Sequence, residues 1–204
     1  ELFLGIREAR QIIRQFKPDI VIGTGGYVCG PVVFVASRMK LPTLIHEQNA
    51  FPGVTNRILS RFVDAVAISF KESERYFKSN EKLVYTGNPV RLEILKADRL
   101  SAREKLGIDT KKPLVVVVGG SLGAEKINST IVEMLRKRSG QNSFNMIFAT
   151  GNSQYEKVKE QLQDVKMPNV NVVPYIYDAA NVYAAADLVV CRAGAITCSE
   201  LTAL

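Results

Sequence analysis

Two glycine-rich turns, Gly23-Thr24-Gly25-Gly26-Tyr27 and Gly119-Gly120-Ser121-Leu122-Gly123, each follow a β-branched run and open a helical pattern, about a hundred residues apart. A strand that ends in glycines lets the backbone come close to a ligand. The helix that follows offers unpaired N–H groups and the positive end of its dipole to an anion. One such turn fits many α/β folds. Two of them at this separation imply two nucleotide-type domains in one chain.

The rest of the pattern agrees. Strand signals at Asp19–Ile22, Thr43–His46, Ala65–Ser69, Leu83–Thr86, Leu114–Val118, Asn145–Ala149, Val170–Val173 and Leu188–Cys191 alternate with helical patterns. Those helical patterns are Pro31–Met39, Val54–Phe62, Leu92–Leu106, Ala124–Lys137, Gln154–Val165 and Ala179–Ala185. Such alternation predicts an α/β fold of parallel βαβ units with both sheet faces covered. The turn signal Gly87-Asn88-Pro89-Val90-Arg91 marks the junction, giving domains at 1–90 and 91–204. Both ends read as interrupted helical patterns, so each domain is expected to be part of a larger one.

Composition excludes several classes. The chain has 204 residues and a formal charge of +7, with 13 Lys/Arg against 8 Asp/Glu in residues 1–91 and 14 against 12 thereafter. No basic run with interleaved aromatics marks a nucleic-acid module, and an anionic membrane surface or a phosphorylated substrate fits the bias better. No apolar run reaches the ~18 residues of a membrane span. Cys29, Cys191 and Cys198 lack metal-ligand spacing and read as thiols of a reducing, cytoplasmic compartment.

Neither glycine turn matches a common nucleotide motif. Gly119–Gly123 lacks the lysine and hydroxyl of a phosphate-binding P-loop. Gly23-Thr24-Gly25 lacks the third glycine and the ribose-binding acidic residue of a dinucleotide site. Taken singly, each is equally well read as a plain strand-to-helix turn.

The order and spacing of five segments are more specific. They are Gly23-Thr24-Gly25-Gly26-Tyr27-Val28-Cys29-Gly30-Pro31, His46-Glu47-Gln48-Asn49, Gly87-Asn88-Pro89-Val90-Arg91, Gly119-Gly120-Ser121-Leu122-Gly123-Ala124, and Arg192-Ala193-Gly194-Ala195-Ile196-Thr197-Cys198-Ser199-Glu200. Together they resemble the MurG family of bacterial N-acetylglucosaminyltransferases across essentially the whole chain. The resemblance implies a GT-B glycosyltransferase with two Rossmann-like domains, the first for the acceptor and membrane, the second for the UDP-sugar. It implies inverting transfer of N-acetylglucosamine from UDP-N-acetylglucosamine to the C4 hydroxyl of N-acetylmuramic acid in lipid I, giving lipid II for peptidoglycan. The location implied is the cytoplasmic face of the membrane, held peripherally.

By the same resemblance the donor is bound by Asn49, Arg91, Ser121, Asn128, Ile176 and the stretch Ala195, Ile196, Thr197, Cys198, Ser199 and Glu200. Glu200 would hold the ribose hydroxyls, Arg91 and Ile176 the uracil pocket, and Ser121 and Asn128 the diphosphate and sugar region. Leu122 stands where the family often has glutamine or arginine. Gly25, Gly26, Tyr27 and Gly30 would form the loop for the acceptor diphosphate, with His46 and Glu47 turned toward the cleft. The family's leading base candidate would precede residue 1, so no catalytic base is assigned, and this stretch alone is expected to be inactive. The absence of an Asp-x-Asp pair suits charge stabilisation by helix N-termini, with no metal and no cofactor.

A separate reading concerns the first helical pattern. Leu2, Ile6, Ala9, Ile13 and Phe16 form an expected core stripe, while Arg7, Arg10 and Arg14 form a basic face that includes Phe3. An aromatic ring among arginines suits contact with an anionic membrane surface, and a partly covered surface phenylalanine explains it equally well. Two further functions stay open at this point. One is a UDP-N-acetylglucosamine 2-epimerase, for which a single histidine is a poor endowment; the other is a binding module that retains only the UDP pocket.

Overall fold

The computed structural model describes residues 2–78, 80–109, 111–141 and 143–204, the side chain of Leu2 excepted. The chain divides into two units, Glu1–Pro89 and Val90–Leu204. Each is built around its own four-stranded parallel sheet.

The N-terminal unit runs α1 (Leu2–Phe16), β1 (Val21–Gly23), α2 (Cys29–Arg38), β2 (Thr43–Glu47), α3 (Val54–Leu59), β3 (Ala65–Ile68), a 3-10 turn (Lys71–Tyr76) and β4 (Leu83–Tyr85). The strands lie in the order β1-β2-β3-β4. Register follows from pairs such as Val21 with Thr43, Ile45 with Val66 and Ile68 with Tyr85. The inner strands bury Ile45, Val66 and Ile68 against Val33, Leu59 and Phe77, whereas the outer strands leave Ile22 and Val84 exposed. A second cluster joins Ala9 and Ile13 of α1 to Val35 and Ala36 of α2.

Phe16 departs from the expected stripe. It is 79% exposed, because α1 ends there and Lys17 takes a left-handed turn (φ 51°) that lifts the last residue off the core. Among the described side chains the stripe comprises Ile6, Ala9 and Ile13, and the Leu2 side chain lies outside the described residues.

The C-terminal unit runs α4 (Leu92–Leu95), α5 (Arg99–Lys105), β5 (Leu114–Val118), α6 (Glu125–Lys137), β6 (Asn145–Ala149), α7 (Tyr155–Gln161), β7 (Val170–Val173), α8 (Ala179–Ala185), β8 (Leu188–Cys191) and α9 (Ala195–Thr202). Its strand order is β7-β6-β5-β8. The chain thus reverses direction across the sheet between β5 and β8, and ligands of open α/β sheets sit at the carboxyl ends of strands at such a switch point. All five residues of β6 are buried, as expected for a strand covered on both faces. One face packs Leu114, Val116 and Ile147 against Val182 and Tyr183 of α8; the other packs Val117 and Phe148 against Ile131 and Leu135 of α6.

The single helix expected over 92–106 is two helices. Asp98 adopts an extended conformation and accepts hydrogen bonds from the Ser101 amide and hydroxyl, both at 2.9 Å, which caps α5 and stops α4. An aspartate three residues before a serine is a helix-start signal that outweighed the continuous charged pattern.

Beneath the β5–β8 pair lies a charged clamp. The Asp187 carboxylate accepts from the Leu114 amide at 2.7 Å, from Arg103 Nη1 at 2.9 Å and from Arg99. Buried Arg103 also donates to the carbonyls of Ala185, Asp109 and Lys112. These contacts tie α5 to the starting ends of both strands.

Candidate functional site

The second glycine turn is an interlock of backbones. Gly123 has φ +78°, and a Cβ there would lie 2.1 Å from the Thr150 carbonyl oxygen; Gly151 has φ +85°, and a Cβ there would lie 2.3 Å from the Gly123 nitrogen. A Cβ at Gly119 would meet the Ala124 nitrogen at 2.5 Å. Only glycine fits these three positions, and the turn closes on itself through a Gly123 to Gly120 hydrogen bond of 2.9 Å. The result is a fixed loop that places Ser121 at the carboxyl end of β5.

Ser121 lines a cavity of about 330 Å³ together with Arg91, Tyr175, Ile176, Tyr183, Thr197 and Glu200. A second hollow of about 410 Å³ lies between the Gly119-Gly120 turn and Arg192-Ala193-Gly194, and it shares Val118, Gly120 and Thr197 with the first. The N-termini of α6 and α9 follow these two loops, so the hollow presents helix ends suited to an anion. A polar cavity beside an anion-binding corner can hold a nucleotide.

Glu200 is 7% exposed and accepts a hydrogen bond from Arg91 Nε at 2.9 Å. That is a buried carboxylate with a half-exposed cation as partner, not a solvated helix residue. Tyr183, 8% exposed beneath the cavity, has its phenol pushed up by burial, with the Glu200 charge adding to it. Tyr175 stacks edge-on against Tyr177 at 5.1 Å.

Of the expected donor residues in this unit, Arg91, Ser121, Ile176, Thr197 and Glu200 come together in one cavity. Asn128 does not join them. It is buried, and its amide donates to the Thr150 carbonyl and to Gln154 Oε1, both at 2.8 Å, so it braces the loop after β6 against α6. Along α9, Ala195, Ile196, Cys198 and Ser199 do not line either hollow; the Ser199 hydroxyl bonds back to the Ala195 carbonyl at 2.9 Å. Tyr175, Tyr183 and Arg192 belong to the cavities without having been singled out as donor contacts. Tyr183 shares a helical stripe with core Val182, which hid it, whereas the position of Tyr175 just past β7 was a readable signal.

In the N-terminal unit the first glycine turn bends through Gly25 (φ +94°) and Gly26 (φ +77°) and presents Tyr27, 85% exposed, before α2. A Cβ at Gly23 would lie 2.8 Å from Val33, which fixes the strand end against α2. Gly30 lies in the first turn of α2, facing Thr55.

His46 and Glu47 do not present free catalytic groups. Nε2 of His46 lies 3.1 Å from the Gly87 carbonyl, which can only accept, so the proton resides there; Nδ1 accepts from Gln48 Nε2 at 3.1 Å. Ser69 and Asn88 complete the network. Glu47, 2% exposed, accepts four hydrogen bonds: from the Asn49 amide and side chain, the Gly53 amide and Asn56 Nδ2, at 2.9–3.1 Å. It organises the turn from Asn49 to Gly53, and Asn49 spends its own amide on that carboxylate.

Among the described residues, no group of three His, Cys, Asp or Glu side chains is placed to hold a metal ion. The Cys191 thiol is held above its ordinary pKa by burial, and then by Cys198. No described helix is long and apolar enough to cross a membrane. On α1, Phe3 is 86% exposed amid the exposed Arg7, Arg10 and Arg14. Among the described residues, every carboxylate ion pair lies in the C-terminal unit, and no Lys or Arg of the N-terminal unit has one.

Two parallel-sheet units, the second with hollows at the carboxyl ends of its strands and at its switch point, place the chain among α/β proteins of the GT-B class. Residues 1–68 match the glycosyltransferase family 28 N-terminal domain and residues 114–204 its C-terminal domain. The chain belongs to glycosyltransferase family 28, within its MurG group.

It is 64% identical over its full length to the UDP-N-acetylglucosamine–N-acetylmuramyl-(pentapeptide) pyrophosphoryl-undecaprenol N-acetylglucosamine transferase of Acetivibrio thermocellus, covering 55% of that protein. The protein of the same name from Caldanaerobacter subterraneus is 54% identical over 99% of this chain and 56% of its own length. The chain therefore spans about half the length of the curated relatives it matches. The crystal structure of Acinetobacter baumannii MurG superposes with a TM-score of 0.68 at 35% identity, covering 97% of this chain and 53% of that one. A UDP-GlcNAc 2-epimerase from Neisseria meningitidis superposes with a TM-score of 0.65 at 17% identity, covering 96% of this chain and 60% of that one, which is a likeness of fold alone.

Proposed function

We propose that the protein of which these residues form part transfers N-acetylglucosamine from UDP-N-acetylglucosamine to the C4 hydroxyl of N-acetylmuramic acid in lipid I, yielding lipid II. The observation that carries this is the single cavity holding Arg91, Ser121, Ile176, Thr197 and Glu200, in a chain 64% identical to a transferase named for those substrates.

Chemically, the acceptor hydroxyl gives up its proton to a base or to solvent as its oxygen attacks C1 of the donor sugar from the face opposite UDP, the bond from C1 to the phosphate oxygen breaks with its electron pair leaving on UDP, and the configuration inverts. The diphosphate that leaves gathers negative charge. The helix N-termini at Gly119–Gly123 and Arg192–Gly194, with Arg192 and Arg91 nearby, are the groups that would stabilise it. Glu200 would exchange its Arg91 partner for ribose hydroxyls. Tyr175 and Ile176 would wall the uracil, and Thr197 would sit at the junction of the two hollows.

In the N-terminal unit, Gly25, Gly26, Tyr27 and Gly30 would cradle the acceptor diphosphate with backbone N–H groups. Phe3 and its arginines would rest on the anionic cytoplasmic surface of the membrane, attracted by the excess of basic charge in this unit, where Arg7, Arg10 and Arg14 are exposed beside Phe3.

The test is transfer from UDP-N-acetylglucosamine to a lipid I analogue by the full-length protein in EDTA. A disaccharide product with an inverted linkage is expected. Epimerised donor would move the assignment to the 2-epimerase, and binding of UDP without turnover would reduce it to a binding module. Loss of turnover on chelation, restored by a divalent cation, would overturn the part given to helix ends and arginines.

A further inference from the structure

The N-terminal unit contains a concave apolar groove that the donor chemistry leaves unused. It has a volume of about 400 Å³ and is walled by Ile6, Tyr27, Phe34, Ile58, Leu59 and Phe62. Phe34 and Phe62 meet edge to face at 5.1 Å and form one side. Gly5 of α1 lies beside Pro31, which closes the other. Ile58 is 52% exposed and Phe62 42% exposed, so the walls face outward as well as inward. An apolar concavity of this kind in a water-facing domain marks a binding surface.

Its position identifies the occupant. Tyr27 and Gly30 belong both to the glycine loop and to the groove wall, so the groove begins where that loop ends. The natural ligand of such a pair is an amphiphile with a diphosphate at the loop and a hydrocarbon chain in the groove. The acceptor in the relatives' names is a pyrophosphoryl-undecaprenol, which is a prenyl chain on a diphosphate. Resting on the transferase reading, we propose that this groove takes the isoprene units of the acceptor nearest its diphosphate. Phe3, projecting from α1, suits insertion into a bilayer surface; a concavity suits a single chain held by the protein.

The experiment uses the full-length enzyme and monomeric acceptors carrying C5, C10 or C20 prenyl chains on the same sugar diphosphate, below micelle-forming concentrations. Acceptor KM is expected to fall roughly tenfold or more from C5 to C20, given the transfer energy of each buried methylene. Ile58→Ser and the groove-filling Thr55→Phe should each collapse that ratio to within about twofold, with the KM for UDP-N-acetylglucosamine unmoved. Calorimetry with geranylgeranyl diphosphate gives a second readout, binding to wild type and not to either variant. Acceptor KM independent of chain length, or variants that keep the ratio, would overturn the groove's role. So would loss of anionic-vesicle binding in Ile58→Ser with the ratio intact, which would assign the face to the bilayer. Dimerisation abolished by Ile58→Ser would assign it instead to a second copy. If no acceptor turns over, the transferase reading fails; the calorimetric comparison then still decides whether the groove binds a prenyl diphosphate.

Discussion

Replacing Asp187 with asparagine removes one charge from the clamp under β5 and β8 while keeping the shape of the side chain. In the native protein the Leu114 amide, then Arg103 and Arg99, hold the Asp187 carboxyl down to about 2 from 3.8. At 1.36 kcal/mol per tenfold change, that difference corresponds to roughly 2.4 kcal/mol, and the one-third exposure of the side chain reduces it to about 2 kcal/mol. The asparagine amide would also face the buried Arg103 guanidinium, whose remaining partners are carbonyls. Because the folded carboxyl is the stronger acid, its contribution is complete above pH 3.8 and disappears as pH falls toward 2. About half of it is gone by pH 3. Urea unfolding followed by far-UV circular dichroism, with separate transitions fitted for the two units, should give Asp187→Asn a loss of about 2 kcal/mol in the C-terminal unit at pH 7. At pH 3 the difference should shrink to about 1 kcal/mol. A loss below about 0.5 kcal/mol at pH 7, or an undiminished one at pH 3, would refute the clamp as the source of the effect.

Four further outcomes follow from the same geometry. Glu200→Gln should weaken UDP binding by roughly 1–3 kcal/mol in calorimetry on the full-length protein, since a charged acceptor becomes neutral; unchanged affinity would remove Glu200 from the donor site. Gly123→Ala should cost about 3 kcal/mol or more of stability in urea titration, from a forbidden φ and a carbonyl in the way of Cβ; a cost under about 1 kcal/mol would mean that the turn yields easily. Glu47→Gln should cost about 2 kcal/mol and speed hydrogen exchange at the Asn49 and Gly53 amides, because an NH₂ replaces an oxygen among donors. Lost turnover with unchanged exchange would point instead to a direct chemical role. Phe3→Ser should reduce binding to anionic vesicles and leave UDP affinity intact, as read by co-sedimentation and calorimetry; equal vesicle retention would remove Phe3 from the membrane contact.

How legible each part was depended on whether the signal was local. The four strands of the C-terminal unit occur as read, residue for residue, because uninterrupted apolar runs such as Leu114–Val118 admit little else in a buried parallel sheet. The edge strand β1 slipped to Val21–Gly23, since a half-exposed edge has weaker patterning. Phe16 and Asp98 misled for opposite reasons: the first continued a periodicity past the end of its helix, and the second interrupted one that charge pattern alone had joined.

In the site, the motif pattern brought Ser121, Thr197 and Glu200 together but said nothing of the Arg91 contact to Glu200, which joins residues 109 apart in sequence. Asn128 and Glu47 were the harder cases. A buried amide and a buried carboxylate have the same letters whether they serve a ligand or a loop. Their hydrogen-bond partners add what the letters lack: Glu47 is engaged by the Asn49 and Gly53 amides and by the Asn49 and Asn56 side chains, and the Asn128 NH₂ by the Thr150 carbonyl and the Gln154 side chain.

The contact of Gly123 with Thr150 and Gly151 has a consequence for recognition. Two peptide segments from consecutive βα units lie too close for either to carry a side chain, so the loop after β5 has no slack to lose. Its ordering is completed when the sheet folds, before any ligand arrives. An anion meeting the Gly119–Gly123 corner encounters donors already in place, and the entropy that a mobile loop would give up at that moment is not part of the binding equilibrium. The two glycines act as a single character: a Cβ at either would push on the backbone of the other segment, so neither position can change alone without moving the loop.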